Sequence, residues 1–148
     1  MQYSGCEIFA TFNAIYNITG KIKVDLPEMI AAYEKDGMVL SGKFGTAPKA
    51  IADFLKKQGF KTKICTDEKL FDEVGKSADS LILTMYNDKD DISKEVHTVN
   101  ISKAKDGFTA HNVYCNGMVV GPYPSVSQVI KNINNGKAKG ISLIGINA

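Results

Sequence analysis

Apolar residues recur every three or four positions through the first third of the chain, then alternate with polar ones through much of the rest. That change of period predicts helices first and strands afterwards. Ile8, Phe9, Phe12, Ile15 and Tyr16, with Ala10 and Ala14 beside them, predict a first helix over 6–17 that stops near Gly20. Asp25 caps a second helix, with Pro27 and Glu28 in its first turn and Leu26, Met29, Ile30 and Tyr33 along one face. Gly37 closes it. Residues 40–46 are Gly-rich and read as a loop. A third helix over 48–58 carries Ile51, Phe54 and Leu55 and ends at Gly59.

After Gly59 the period falls to two. Phe60 and Ile64 alternate with lysines and predict a half-buried strand ending at Cys65, with no partner for chemistry apparent beside that thiol. Thr66-Asp67 opens a short helix to about Val74. The mostly apolar run 81–86 predicts a central strand, and 87–91 a solvated loop without the Gly and final Glu of a calcium loop. Strands over 96–101 and 108–114 flank an Asp106-Gly107 hairpin signal, and Asn116-Gly117 marks a second hairpin into a strand over 118–121. A helix over 126–133 and a last strand over 141–146 complete the pattern. The sum is an α+β fold in one domain over 1–148, helices first and then a mostly antiparallel sheet.

Composition narrows the function classes. The chain has 148 residues, 44% hydrophobic and 23% charged, which fits one domain with a real core. A net charge of +2, with no basic run interleaved with aromatics, argues against a nucleic-acid partner. No stretch approaches the roughly 20 apolar residues of a membrane span, and no signal segment is visible. The chain begins five residues before Cys6, so a leader or longer precursor upstream is an open expectation, as is the compartment. Three cysteines, Cys6, Cys65 and Cys115, do not form a disulfide framework or a zinc motif, although a Cys65–Cys115 bridge stays open. The reading calls for no metal and no cofactor.

The candidate chemistry lies at the start. Gly5-Cys6 runs straight into the first helix, which places Cys6 at or just inside the helix N-terminus. Unpaired N–H groups and the positive end of the dipole favour a thiolate there. A nucleophilic thiol needs a base, and the base an orienting acceptor. His97 shares a strand face with Val99 and Ile101, which predicts that it points to the layer where the helices, and Cys6, pack. His111 falls on the opposite face from Phe108 and Ala110 and reads as solvent-facing. Asn112 falls on the Phe108 face, across a hairpin from His97, where its side-chain carbonyl is placed to meet the imidazole; Asn116 and Asp106 remain rivals for that role. Glu7 reads as a first-turn acid favoured by the dipole, raising the thiol pKa slightly by its charge.

These residues carry a resemblance. Gly5-Cys6 heading an apolar helix, His97-Thr98-Val99 opening a later strand and a polar residue on the next strand resemble the papain-like cysteine peptidase fold, and within it the bacterial C39-like family. The resemblance covers nearly the whole chain in element order. It implies a Cys-His-Asp/Asn site, carried here by Cys6, His97 and Asn112, and an oxyanion hole made partly by a Gln shortly before the Cys, for which Gln2 is the candidate beside the Cys6 N–H. Glu7 stands where the family usually has Gly, and Ile8 where many members have Pro.

The expectation is a thiol hydrolase that cleaves a peptide or amide bond in a peptide or protein substrate. Cys6 forms a thioester, and His97 acts as base and then acid. Two alternatives accompany it: a catalytically silent peptide-binding domain, motivated by Glu7-Ile8, and an acyl or amide transferase using the same thiol. Specificity is expected from the loops 40–47 and 87–95.

Overall fold

A computed structural model describes residues 5–22, 24–39, 45–113 and 118–148. Three helices come first: α1 (Gly5–Thr19), α2 (Leu26–Asp36) and α3 (Pro48–Lys57). Strand β1 (Lys61–Cys65), helix α4 (Phe71–Ser77) and strand β2 (Ser80–Tyr86) follow. The second half holds β3 (Val96–Ala104), β4 (Gly107–His111), β5 (Val119–Tyr123), helix α5 (Val126–Asn132) and β6 (Lys139–Asn147). The strands form one six-stranded sheet in the order β1-β6-β2-β3-β4-β5. Every neighbouring pair is antiparallel. The elements and the α+β class follow the sequence pattern.

Local chemistry sets several boundaries. The Asp25 carboxylate accepts the Glu28 N–H at 3.2 Å and starts α2. The Ser125 hydroxyl caps α5, and the Asp72 carboxylate of α4 accepts both the N–H and the hydroxyl of Ser127, tying the two short helices together. Lys105 and Asp106 form the turn of the β3–β4 hairpin.

The sheet is covered on both faces, and each face has its own core. Ile8, Ala10, Ala14 and Ile15 of α1 join Met29, Tyr33, Ile51, Phe54 and Leu55 against Ile82, Ile144 and Ile146 of the sheet. On the other face Phe71 and Val74 of α4 and Val126, Val129 and Ile130 of α5 pack on Leu81, Leu83, Met85, Val99, Ile101, Phe108 and Ala110. Alternation along β2 therefore sends both residue sets into a core, which explains its unbroken apolar run.

Two expectations change here. The Val99–Ile101 face, predicted to look toward α1, looks toward α4 and α5. Helix α1 crosses the opposite face, where Asn17 Nδ2 donates to Asn100 Oδ1 at 2.8 Å. The inward stripe of α1 also differs: Phe9 and Tyr16 are exposed, and Ile8, Ala10, Thr11, Ala14 and Ile15 are buried. A helix apolar on nearly all sides does not announce its buried face. The small residues decide it, because Ala10 and Ala14 let the helix backbone approach the strands closely.

Candidate active site

Cys6 is the second residue of α1, as its position in the sequence predicts. Its surroundings are set by an end effect in the sheet. Strand β4 pairs with β3 only from Asn100 onward, with Asn100 opposite His111. Among the described strands, the β3 edge from Val96 to Val99 has no neighbour on that side. The Cys6 sulfur reaches this edge and takes a main-chain hydrogen bond at Thr98. The thiol enters a notch at this edge from the α1 side, where Thr98 follows His97 in the chain. By strand parity the His97 side chain lies on the opposite face, with Val99 and Ile101, and the Glu7 charge still acts on it.

The thiol has a partner that the sequence did not suggest. Cys6 Sγ donates to Glu7 Oε2 at 3.1 Å. The other oxygen, Oε1, accepts the Thr46 main-chain N–H at 2.9 Å. Glu7 is only 1% exposed, so it is not the solvated first-turn acid expected from position alone. A Cβ at Gly45 would collide with the Glu7 carboxylate, and Gly45 also has a left-handed φ of 71°. Glycine meets both requirements. Behind Glu7, Thr11 Oγ1 donates to the Glu7 carbonyl at 2.7 Å, which leaves the Tyr33 hydroxyl as donor to Thr11 Oγ1, also at 2.7 Å.

These contacts reverse the electrostatic expectation for Cys6. Burial pushes its pKa up, the Glu7 charge adds to that, and the hydrogen bond to Glu7 adds further, to about 12. The main-chain hydrogen bonds at Thr98 and Glu7 act the other way and are outweighed. The helix N-terminus therefore does not yield a standing thiolate. Tyr33 is likewise pushed up by burial, with Glu7 contributing.

His97 is buried, and its Nε2 lies 2.7 Å from the Asn112 main-chain carbonyl. A carbonyl only accepts, so Nε2 carries the proton and Nδ1 is the basic nitrogen of the neutral ring. Burial lowers the His97 pKa, partly offset by the Asn112 carbonyl and by the Glu7 charge. Asn112 meets His97 through its backbone and not, as expected, through its side chain. It follows the last residue of β4 with φ of 67°, so strand parity no longer applies to it. Its N–H donates to the Met118 carbonyl at 2.7 Å, and its buried side-chain Nδ2 has no hydrogen-bond partner among the described residues.

The remaining candidates separate. Gln2, Cys115 and Asn116 lie outside the described residues. Asp106 is exposed in the hairpin turn. The strand from His97 to Ala104 puts roughly 23 Å between that turn and the notch, so Asp106 does not orient His97. His111 is half-buried, not solvated, and its Nε2 lies 2.7 Å from Ser102 Oγ. Burial lowers its pKa. Cys65 is a free buried thiol whose Sγ lies 3.4 Å from the Asp67 carbonyl. Of the expected specificity loops, 87–95 is organised by Asp88, whose carboxylate meets Lys94 at 3.2 Å and Lys137 at 3.5 Å. Beside the notch, Val39, Thr46, Pro48, Tyr86, Val96 and Ile141 line a mostly apolar pocket of about 350 Å³. Thr46 and Val96 link this pocket to Glu7 and His97. Among the described residues, no group of three His, Cys, Asp or Glu side chains is placed to hold a metal ion, and no helix is long and apolar enough to cross a membrane.

No protein-family model and no curated protein sequence matches the chain. In structure it is similar to the peptidase domain of Streptococcus ComA, a bi-functional ABC transporter involved in a quorum-sensing pathway. The TM-score is 0.57 with 14% identity, over 95% of this chain and 89% of that one. It is also similar to the peptidase domain of Streptococcus mutans ComA, with a TM-score of 0.48 and 13% identity over 85% of this chain and 96% of that one. The first likeness shows the fold, which is papain-like and C39-like.

Proposed function

We propose that the chain is a cysteine peptidase-type thiol hydrolase, with Cys6 as nucleophile and His97 as base and then acid. The observation that carries this reading is the meeting of the Cys6 sulfur with the main chain of Thr98, the residue after His97, in the notch at the β3 edge. The Nε2–H contact to Asn112 supports His97 as the base, because it turns the basic Nδ1 into the role of proton acceptor. The substrate in this reading is a peptide, and the apolar pocket beside Val96 and Thr46 receives one of its apolar side chains.

In the reaction, the Cys6 proton passes to His97 Nδ1 as sulfur attacks the carbonyl carbon. The Cys6 N–H, at the first turn of α1, stabilises the oxyanion, with Gln2 as the candidate second donor. The imidazolium gives its proton to the leaving amine, and the C–N bond breaks to leave a thioester. Water, deprotonated by His97, then releases the acid and restores the thiol.

Peptide-library cleavage read by mass spectrometry tests this reading, with Cys6→Ala and His97→Ala as paired variants. Cleavage that disappears in both, while the variants keep their fold, is the expected result. Cleavage that persists in Cys6→Ala would overturn it. Added amines distinguish transfer from hydrolysis, since a pure hydrolase yields only acid.

One observation favours a second reading. The thiol is engaged by Glu7 and held protonated, which suits a catalytically silent domain that binds peptide in the same groove. Peptide binding retained in Cys6→Ala, with no cleavage by the unmodified chain at any pH, would select it.

A further inference from the structure

Glu7 is the one acidic residue among the buried polar side chains of α1, and both of its oxygens are engaged in the notch. Oε2 accepts the Cys6 thiol and Oε1 the Thr46 N–H. Gly45 lies directly against the carboxylate, in a conformation that admits no side chain without strain. The carboxylate is thus a bridge between the thiol and the main chain that enters α3.

We infer that Glu7 is a positioning residue for the thiol: fixed at the Thr46 main chain, its carboxylate takes the Cys6 S–H as a hydrogen bond, so that forming the nucleophilic thiolate requires this contact to break. The inference rests on Cys6 being the nucleophile. It makes Glu7 a brake on sulfur. When the contact opens, the thiol proton goes to His97 Nδ1 and the carboxylate stays anchored at Thr46. Glu7 then acts in two directions at once, because its charge disfavours the thiolate while favouring an imidazolium at His97.

Among the described residues, the titratable groups around the carboxylate are few. Cys6 faces it from its own helix, His97 from β3 and Tyr33 from α2. The adjoining residues Gly45, Thr46 and Ala47 contribute none. Glu7→Gln keeps the size of the side chain and an oxygen for the Thr46 N–H but removes the charge. Its effect on the thiol is therefore electrostatic before it is structural.

The test is the pH profile of Cys6 alkylation by iodoacetamide, followed by peptide mapping with Cys65 as internal reference. In the unmodified chain the Cys6 rate should still be climbing at pH 10. Glu7→Gln should shift that profile to lower pH by a unit or more, which at fixed pH below the plateau is about a tenfold faster reaction. A Glu7→Gln profile superimposable on the unmodified one overturns the inference. Should that variant not fold, the infrared S–H stretch of the unmodified chain, isolated by difference against Cys6→Ala, decides. A broadened, low-frequency band that persists past pH 9 supports the bridge, and a band gone by pH 8 overturns it. These readouts concern the thiol and not turnover. A profile that shifts as expected in a chain that cleaves nothing would leave Glu7 as assigned and remove the hydrolase reading alone.

Discussion

The Cys6 thiol donates to the carboxylate of its own sequence neighbour, Glu7, at 3.1 Å, while that carboxylate is held from its other oxygen by Thr46. An i, i+1 pair on a helix does not normally face itself. It does so here because both residues lie in the first turn, where Cys6 bends toward the β3 edge and Glu7 turns under Gly45. The consequence is a thiol that holds its proton more firmly in the folded chain than in the unfolded one.

That difference ties stability to pH with a definite sign. The Cys6 pKa rises from 9.0 to about 12, so above the lower value the unfolded chain sheds its proton first. The stabilisation is fully present below pH 9 and is lost as pH rises toward about 12. Urea midpoints measured between about pH 8 and pH 10.5 should fall more steeply for the unmodified chain than for Cys6→Ala. Parallel curves would contradict the assignment.

Asn112 holds His97 through a main-chain carbonyl at a left-handed position, so its side chain is dispensable to that contact. Asn112→Gly should keep the His97 ring environment, as read by its ring-proton NMR shifts, and should keep any cleavage activity. Asn112→Ala should lose about 1 kcal/mol of stability from the left-handed backbone. Activity lost equally in both variants would return the role to the side-chain amide.

Gly45→Ala places a methyl group against the Glu7 carboxylate and strains a φ of 71°. We expect a loss of about 1–2 kcal/mol from the backbone alone. Displacement of Glu7 should also quicken Cys6 alkylation at pH 8. Stability falls in denaturant melts and the labelling rate rises together if Gly45 and Glu7 are coupled as described.

Asn100 is fully buried in β3, where its Nδ2 donates to Ser80 Oγ at 3.0 Å and to the Leu81 carbonyl at 2.9 Å, and its Oδ1 accepts from Asn17 of α1. Asn100→Ala should cost about 1–3 kcal/mol by leaving those groups unsatisfied. Because α1 carries Cys6, the variant should also raise amide hydrogen exchange along α1 more than along α4 or α5.

Much of this was readable in the chain. The period change after Gly59 separated helices from strands, Asp25 and Gly37 bounded α2, and Asp106-Gly107 located the β3–β4 hairpin. Cys6 at a helix start and His97 near the start of a strand were likewise visible. The faces were not. Periodicity tells which residues share a face, but it is silent on which layer covers that face when both are apolar. Val99 and Ile101 therefore pointed to the wrong helices, and His111 to solvent instead of Ser102. On α1 the same ambiguity hid the inward stripe until Ala10 and Ala14 were seen against the sheet.

Sequence alone determined the order of elements, the α+β class and the thiol at the head of α1, because turn residues and hydrophobic period act locally. Tertiary structure decided the state of that thiol. The helix dipole is a local term and favours the thiolate, but burial against β3 and the Glu7 carboxylate pinned by Thr46 are products of packing, and together they outweigh it. Thr46 lies 39 positions from Glu7 along the chain. No local pattern connects two such residues, and only the folded chain brings the Thr46 N–H to the Glu7 carboxylate.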